Sequence, residues 1–600
     1  MPSYKAPVKD FLYILNDVLG IEKYSNLPGY SDASPDLVKA ILEEAARFTE
    51  NELAPLNRIG DTQGCIRHED GSVTTPDGFK EAFDKYVEGG WMGLTADEAY
   101  GGQGLPHVLG MCLEEMMVSS NMAFAMYPGL THGASAAIAI DGSDDQKQTW
   151  LPKMVEGRWT GTMNLTEPHC GTDLGMLRTK AEPQADGTYA ITGTKIFISA
   201  GEHDMAENIV HLVLARTPDA PAGTKGISMF IVPKFTLNAD GSIGERNGVS
   251  CGSIEEKMGI HGNATCVMNY DGATGYMIGE ENKGLNSMFI MMNAARIGVG
   301  LQGLGISEVS YQNAVDYAND RIQGRALTGP KAADKQADPI IVHPDVRRML
   351  MNAKSFNEGA RALALWCALL VDMSHKSQTE EERQWADDMV SLMTPVLKGF
   401  FTDMAYENAT NAQQVYGGHG YVSEWGMEQF VRDARIAQIY EGTNGIQALD
   451  LVGRKLGKNG GRAVQGFFKH IEDFIKEQAD DEKMTDFTGP LKDALKDLQA
   501  CTMWLMQNAM TNPDNAGAGS VAYMHLFGYV AVGFMWAKLA RTSLDALENG
   551  ADNKDFHEAK LKTGRYFMRR RMSQTKSLRA ELEAGADDVM ALDADQFLVA

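Results

Sequence analysis

The chain of 600 residues carries a formal charge of −25, from 55 basic and 80 acidic side chains. It lacks the basic footprint that a phosphate backbone requires, which argues against nucleic acid as a partner. With 44% apolar and 22% charged residues, the composition is that of a globular protein long enough for several domains. An anionic small ligand is compatible with this charge where arginines and helix N-termini cluster.

The seven cysteines are dispersed and contain no CxxC pair, which predicts reduced thiols rather than a disulfide framework or a structural zinc site. The sequence has no uninterrupted run of 18 apolar residues, and its first residues lead into no signal-peptide core. We therefore expect a soluble, cytoplasmic protein without an integral membrane segment.

Residues 35–160 are predicted to be helical, after an N-terminal extension over residues 1–34. Ser34 followed by Pro35 is a helix start signal, because serine is a good N-cap and proline fits the first helical position. Apolar residues then recur at helical spacing. The glycine-rich stretch 100–106 predicts a loop.

Residues 161–275 change to a β pattern. Short runs rich in β-branched and aromatic residues lie at 189–199, 209–215 and 226–233, and Asp-Gly turn sequences lie nearby. These runs predict a small β-barrel or sandwich inserted between helical regions.

Helical periodicity returns at residue 276 and predicts a bundle of long helices over residues 276–456. Individual helices are predicted over 345–375, 379–408 and 444–456. In the first helix of this bundle, Gly300 and Gly303 are positions where a neighbouring helix can pack closely.

A glycine-rich joint at residues 457–461 leads into an extra helical domain over residues 457–600. Its first helix has a clear amphipathic stripe between Val464 and Ile475. Arg569 to Arg571 form a local basic patch, which we interpret as a solvated face or an intersubunit contact. The predicted fold class is mainly α with an inserted β domain.

Residues 440–444, with the sequence Tyr-Glu-Gly-Thr-Asn, are predicted to form a turn between two helices. Thr443 or Asn444 can cap the second helix, and Gly442 leaves room for a flat ligand to approach the backbone. These residues alone leave two interpretations open. The turn is either a capped turn with a solvated glutamate, or a site built around Glu441.

The segment 439–443 resembles the catalytic segment of the acyl-CoA dehydrogenases, and other segments match that family in the same order. Residues 163–173 resemble its Thr-Glu-Pro-x-x-Gly-Ser-Asp loop, and residues 195–199 resemble the strand beside the flavin. There the chain has Phe-Ile-Ser where the family usually has Trp-Ile-Thr. The resemblance covers residues 30–456 approximately, and implies the acyl-CoA dehydrogenase fold followed by the extra helical domain.

This resemblance implies FAD as the cofactor. Residues 414–421 match a Gln-x-x-Gly-Gly-x-Gly segment that contacts the FAD of a neighbouring subunit in the family, which implies a homodimer or a dimer of dimers. Residues 321–324 resemble the arginine segment that reaches FAD in the family. This match is less close, because the family's usual Phe-Gly is missing. The implied cofactor-binding residues are Met163, Leu165, Thr166, Gly171, Thr172, Phe197, Ile198, Ser199, Arg321, Gln323, Gln414, Gly417, Gly418, Thr443 and Asn444.

Acyl-CoA is the implied substrate, with contacts at Thr172, Asn293, Arg296 and Gly442. The arginine suits a CoA phosphate because its planar fork donates two parallel hydrogen bonds. His169, His419 and Cys170 fit no metal-ligand spacing, and no metal site is predicted.

In the family, the glutamate at the position of Glu441 removes the α-proton of the thioester while a β-hydride passes to the flavin. The developing enolate is stabilised by the backbone N–H of this glutamate and by a ribityl hydroxyl of FAD. Some relatives carry the base at the position of Ala295, which cannot accept a proton, so Glu441 is the expected base. Arg454 is a second catalytic candidate, which either orients the site or faces solvent.

The long chain resembles a bacterial branch of the family that includes an enzyme acting on 3-methylmercaptopropionyl-CoA in dimethylsulfoniopropionate breakdown. The same branch contains dehydrogenases for short- to long-chain fatty acyl-CoAs. An electron-transfer flavoprotein is the implied electron acceptor, and an acyl-CoA oxidase is the alternative. A non-catalytic flavoprotein scaffold is a further alternative, against which the retained Glu441 argues.

Overall fold

The computed structural model describes residues 2–598, and the chain divides into two compact units. One unit comprises residues 44–298. The other combines the described residues up to Glu43 with those from Val299 onward. Two helices, Pro35–Phe48 and Gly284–Asp320, contribute residues to both units.

The helices of the 44–298 unit surround a buried central helix, His107–Asp141. This helix is kinked at Asn121, whose backbone leaves the helical region with φ −160° and ψ 90°. The Asn121 side chain accepts a hydrogen bond from the N–H of Phe124 at 3.1 Å, so it acts as an N-cap for the second half of the helix. The other helices of this unit are Ala54–Gln63, Phe79–Glu88 and Asp144–Val155, with a π-helical turn at Thr49–Leu53.

The strands of this unit are β1 (Ile66–Arg67), β2 (Val73–Thr74), β3 (Trp159–Asn164), β4 (Lys180–Pro183), β5 (Tyr189–Ser199), β6 (Asn208–Ala215), β7 (Ser228–Pro233), β8 (Phe235–Leu237), β9 (Ile243–Arg246), β10 (Val249–Ile254) and β11 (Thr265–Ile278). Seven of them form one sheet, with the order β3-β6-β7-β11-β5-β4 and β10 paired to β11. The β3 and β6 pair is parallel, and the other pairs in this sheet are antiparallel. The long β11 pairs with β5 along most of its length, with β10 in its first half and with β7 at its end. Two smaller sheets pair β1 with β2 and β8 with β9.

Strand β6 is buried along its whole length, as expected for its continuous apolar sequence. Val210, Leu212 and Leu214 pack in one apolar cluster with side chains of the surrounding helices. Val213 and Ala215 point the other way, into the cluster between the strands. The β runs predicted at 189–199, 209–215 and 226–233 are therefore confirmed, within one or two residues at each end.

The second unit is helical. Ser34 caps its early helix as predicted, accepting a hydrogen bond from the N–H of Leu37 at 3.3 Å. The helix predicted to end at residue 408 instead continues to Val415, because residues 409–415 contain neither glycine nor proline. Its remaining helices are Val8–Leu12, Pro344–Lys376, Glu380–Val415, Gly418–Tyr421, Met427–Ala437, Asn444–Asp450, Arg462–Glu477, Thr485–Asn508, Asp514–Glu548, Lys554–Tyr566 and Gln574–Glu583, with π-helical segments Tyr13–Leu19, Leu451–Lys455 and Phe567–Arg571.

The glycines of the helix Gly284–Asp320 allow the close helix packing that the sequence predicts. A Cβ atom on Gly300 would lie 3.0 Å from the carbonyl oxygen of Leu397. A Cβ atom on Gly303 would lie 3.1 Å from the carbonyl oxygen of Phe401. Both contacts bring the helix close to the backbone of the Glu380–Val415 helix.

A buried ion network joins distant parts of the second unit. The Arg361 guanidinium donates to Asp10 at 2.6 Å and to Glu308 at 3.1 Å. The Lys560 ammonium donates to Glu358 at 2.8 Å and also contacts Asp10. These residues come from the N-terminal extension, from two bundle helices and from the C-terminal region, so the network holds all three together.

Two helices, Gly284–Asp320 and Asp514–Glu548, are long and apolar enough to cross a membrane by composition. Of their most apolar windows, 56% and 83% of the residues are buried inside the protein. A helix in the core of a globular protein is apolar on all sides because it is buried on all sides. The apolar composition of these two helices is therefore weak support for a membrane span.

Candidate active site

The predicted turn around Glu441 lies between the helices Met427–Ala437 and Asn444–Asp450. Glu441 has a left-handed backbone, with φ 57°, and Gly442 follows with φ 81°. A left-handed glutamate is uncommon and costs about 1–2 kcal/mol, so the surrounding structure must enforce it.

Gln447 holds this backbone in place from the next helical turn. Its fully buried amide nitrogen donates to the carbonyl oxygens of Glu441 and Gly442, at 3.1 and 3.3 Å. A Cβ atom on Gly442 would lie 2.6 Å from this nitrogen. The glycine is therefore required both by its positive φ and by the space that Gln447 occupies.

Asn444 connects the turn to the Glu380–Val415 helix. Its side-chain oxygen accepts from the buried Lys398 ammonium at 2.8 Å. Its amide nitrogen lies within hydrogen-bond distance of the Gly399 carbonyl at 3.1 Å, the Thr402 hydroxyl at 2.9 Å and the Asp403 carboxylate at 2.7 Å. The side chain is thus fully used in supporting the turn, while its proposed contact with FAD stays a prediction.

The predicted capping of the second helix is wrong in detail. Thr443 occupies the N-cap position but makes no side-chain capping hydrogen bond. Asn444 does not cap either, because its side chain is committed to Lys398 and the Glu380–Val415 helix. The helix start is instead fixed by the backbone bond from the Asn444 N–H to the Gln438 carbonyl, at 3.1 Å.

Tyr440 and Arg454 flank the turn in sequence and face different surroundings. The Tyr440 hydroxyl donates to Gln302, and burial, with a smaller effect of the Glu441 charge, raises the pKa of this tyrosine. Arg454 lies in the π-helical segment Leu451–Lys455, with its side chain 73% exposed and 3.3 Å from Asp450. This position fits the solvent-facing alternative for Arg454.

In the 44–298 unit, a buried ion pair organises the predicted cofactor loop. The Lys195 ammonium, fully buried on β5, donates to Glu167 at 2.8 Å and to the Leu165 carbonyl at 3.0 Å. The Glu167 carboxylate also accepts from the N–H groups of Arg178 and Thr179, at 2.7 and 3.0 Å. The loop from residue 165 to 179 is therefore closed around one carboxylate.

The two partners respond differently to this burial. Burial lowers the pKa of Lys195 to about 8, although the charge of Glu167 opposes the shift. Burial disfavours the Glu167 carboxylate as well, but the Lys195 charge and the hydrogen bonds outweigh it and lower the pKa of Glu167. The pair is charged at neutral pH.

Phe197 is presented outward by a β-bulge at the end of β5. Residues 196 and 197 together oppose Val267 of β11, since the register shifts between Cys266 and Met268. Phe197 has φ 59° and remains 60% exposed. An exposed aromatic ring on a strained bulge is a common way to aim a side chain at a ligand.

The other predicted cofactor residues of this unit differ in accessibility. Gly171 and Thr172 are exposed, and Met163, Leu165, Thr166 and Ser199 are half-buried. The Ile198 side chain is buried between the strands, so only its backbone can meet a ligand. On the long helix, Asn293 is exposed, whereas Arg296 is buried, with its guanidinium 3.4 Å from the Asn293 side chain.

In the second unit, Arg321, Gln323, Gln414, Gly417 and Gly418 are all exposed. Gly417 has φ 58° and ψ −135°, a backbone that only glycine adopts readily. Among residues 2–598, no atom beyond their immediate neighbours lies within 4 Å of a Cβ built on Gly417 or Gly418. The exposed backbone of these glycines leaves room for a ligand to approach closely.

The structure brings Glu167, His169 and Cys170 together, with one possible metal-ligand atom from each within 4.8 Å of the others. Sequence spacing did not indicate this cluster. The Lys195 ammonium already neutralises Glu167, and the His169 ring lies 2.9 Å from the Met176 carbonyl. These contacts give the cluster a role in closing the loop.

The sequence did not reveal the supporting role of Lys195 for the loop of residues 165–179. It did not reveal that Lys398, Asp403 and Gln447 support the turn of residues 440–444 either. The only sequence signal for the two lysines is their place inside apolar segments, where a charged residue needs a specific partner.

Replacing Lys195 with methionine should leave the Glu167 carboxylate buried without its cation. We expect destabilisation by about 3–5 kcal/mol and a loss of bound FAD, because the loop from residue 165 to 179 loses its closing contact. The thermal midpoint and the ratio of flavin to protein absorbance measure both effects. The double variant Glu167→Gln/Lys195→Met removes both charges and should recover part of the loss. A single variant with the parent midpoint and FAD content would contradict the role of the pair.

Four family models match consecutive segments of the chain. The family model for the acyl-CoA dehydrogenase N-terminal domain matches residues 36–158, and that for the middle domain matches residues 162–273. The C-terminal domain model matches residues 282–456. An acetyl-CoA dehydrogenase C-terminal-like model matches residues 467–593.

Two curated relatives match nearly the whole chain. A 3-methylmercaptopropionyl-CoA dehydrogenase of Ruegeria pomeroyi is 44% identical over 94% of this chain and 95% of its own length. A broad-specificity linear acyl-CoA dehydrogenase of Mycobacterium tuberculosis is 35% identical over the full length of both chains.

Among solved structures, an acyl-CoA dehydrogenase of Bacillus anthracis complexed with FAD shares the fold, with a TM-score of 0.73 and 22% identity. The match covers 98% of this chain and 92% of that one. The predicted fold, with an inserted β domain and an extra C-terminal helical domain, is confirmed, and FAD is the cofactor. The chain belongs to the acyl-CoA dehydrogenase family.

Proposed function

We propose that this acyl-CoA dehydrogenase oxidises 3-methylmercaptopropionyl-CoA to methylthioacryloyl-CoA, with Glu441 as the base. The observation that carries the substrate is the 44% identity, over 94% of the chain, with the Ruegeria pomeroyi enzyme of that name. A second candidate is a broad range of linear acyl-CoAs, favoured by the full-length match at 35% identity to the Mycobacterium tuberculosis enzyme.

The geometry of the turn supports Glu441 as the base. A thioester α-proton is a weak acid, so the carboxylate must be held against it in a reactive orientation. The left-handed backbone of Glu441, fixed by Gln447, sets the direction in which its side chain leaves the turn. The α-proton goes to the Glu441 carboxylate, and the α,β carbon–carbon double bond forms as the β-hydride departs.

Bound FAD supplies the acceptor for the β-hydride. The residues proposed to hold it are the loop of residues 163–173, Phe197 and, from a neighbouring copy of the chain, Gln414 to Gly418. The exposure of these glycines supports a dimer or a dimer of dimers. We propose an electron-transfer flavoprotein as the electron acceptor, with the oxidase as the alternative that oxygen reactivity separates.

Replacing Glu441 with glutamine keeps the size of the side chain and removes its ability to accept a proton. We expect a folded yellow protein whose turnover falls by roughly 10²–10⁴-fold, the usual contribution of a general base. Steady-state kinetics with an artificial electron acceptor and the visible flavin spectrum measure turnover and FAD content together. A variant that turns over at the parent rate would exclude Glu441 as the base.

Substrate preference is tested by anaerobic bleaching of the flavin with a panel of acyl-CoAs. The panel contains 3-methylmercaptopropionyl-CoA and straight chains from butyryl- to palmitoyl-CoA. We expect the fastest bleaching with the sulfur thioester, because the chain is 44% identical to an enzyme named for it. Faster bleaching by a straight chain would retain the mechanism and favour the second candidate.

The turn offers a matched pair of glycines. Gly442→Ala places a methyl group 2.6 Å from the Gln447 nitrogen at a positive φ, so we expect a loss of more than about 1 kcal/mol in stability and a clear fall in turnover. Gly445→Ala, in the following helix, meets only the Thr443 hydroxyl at 3.8 Å and should be neutral or slightly stabilising. Equal turnover in the two variants would contradict a geometric role for the turn.

A further inference from the structure

The helix Asp514–Glu548 packs directly beneath the catalytic turn, although it belongs to the C-terminal region. A Cβ atom on Gly399 would lie 2.3 Å from the sulfur of Met524. A Cβ atom on Gly528 would lie 2.3 Å from the Phe400 ring. The two helices thus meet with glycine on both sides, at the segment that also binds Asn444.

His525 extends from this contact to Asp403. Its Nε2 atom lies 2.8 Å from one carboxylate oxygen of Asp403, and the carboxylate fixes this nitrogen as the donor. Its ring also packs edge-on against Phe400, with centroids 5.5 Å apart. The other Asp403 oxygen accepts from Gln438 and Asn444, both at 2.7 Å.

Gln438 and Asn444 stand on either side of the Glu441 turn, and they also bind each other through the backbone at 3.1 Å. The Asp403 carboxylate therefore links the residue before the turn to the residue at its end. Burial disfavours the charge on Asp403, but the contact with His525 and the hydrogen bonds from Gln438 and Asn444 outweigh it and lower the pKa of Asp403. His525 holds this carboxylate from the side opposite the turn.

We propose that His525 is a positioning residue for Glu441, acting through Asp403, and that the C-terminal region thereby sets the geometry of the catalytic turn. The inference rests on the proposed role of Glu441. A hydrogen bond to a charged, largely buried group is among the stronger ones, and its loss frees Asp403 to shift. The turn then loses the contact that aligns its two ends.

The chain provides a matched control on the same helix. Tyr529 lies one turn after His525 and packs on the same Phe400 ring, with centroids 5.0 Å apart. Its hydroxyl contacts Met404 and Arg571 instead of Asp403. Tyr529→Phe keeps the ring contact with Phe400 and removes polar contacts of the same helix that do not lie on the path to the turn.

The test compares His525→Leu, His525→Gln and Tyr529→Phe in the holoenzyme, by anaerobic bleaching of the flavin at saturating and limiting 3-methylmercaptopropionyl-CoA or butyryl-CoA. We expect His525→Leu to lower the limiting rate about tenfold, with FAD content and half-saturating concentration unchanged. The glutamine amide can donate to Asp403, so His525→Gln should recover most of the rate. Tyr529→Phe should bleach at the parent rate.

A double-mutant cycle isolates the path through Asp403. In an Asp403→Asn background, His525→Leu should have little further effect on the rate. If His525→Leu does not fold, the bleaching rate of Asp403→Asn tests the proposal by itself. A similar loss of rate in that variant would support the proposal, and the parent rate would overturn it. A parent rate in His525→Leu, or an equal fall in Tyr529→Phe, would overturn it as well. Full activity in Glu441→Gln would instead overturn the assignment of the base, so the two failures are distinguishable.

Discussion

The left-handed backbone of Glu441 is the constraint on which the turn at residues 440–444 depends. An L-residue leaves this conformation unless its neighbours hold it, and here no single contact does so. Gln447 binds the two carbonyls of the turn, and Asn444 fixes the start of the next helix. Side-chain amides are suited to this task, because each offers a donor and an acceptor without placing a further charge beside the Glu441 carboxylate.

The 44–298 unit uses the same principle at Phe197. There a strained, exposed residue ends a strand, and a buried polar centre lies behind it. Both centres contain a lysine with no exposed surface, Lys195 behind the loop of residues 165–179 and Lys398 behind the turn. A buried ammonium needs several oxygen partners, so it fixes the positions of the loops that supply them. The positions of Phe197 and Glu441 therefore depend on the buried polar residues behind them in their own units.

Much of this arrangement could be predicted from sequence, where the signal is local. The apolar run of β6, the serine that caps at residue 34 and the turn at residues 440–444 depend on neighbours within a few positions. The sign of φ at Glu441 and Phe197 could not be predicted, because tertiary contacts impose it against the preference of the residue. The links from Asp403 to Asn444 and His525 span 41 and 122 positions, and no pattern in one sequence joins them. Arg571, part of the basic patch interpreted as solvated or intersubunit, contacts Tyr529 at 3.0 Å within its own unit, because the helix carrying it turns that side chain inward.

The C-terminal region is an integral part of its unit rather than an appended module. Lys560 supplies a charge to the buried network of Asp10, Glu358 and Arg361. Without that charge, Asp10 would share Arg361 with Glu308, and the buried network would carry an excess of negative charge. In the same region, Met524 packs against Gly399 and His525 contacts Asp403. The C-terminal region therefore contacts the bundle helix that supports the turn. A bundle stripped of this region would expose the apolar faces of its helices and lose ion partners at the same positions. The strain at Glu441 would then have to be held by the turn alone, and the hydrogen bonds of two amides are a weak restraint without the packed helix beneath them.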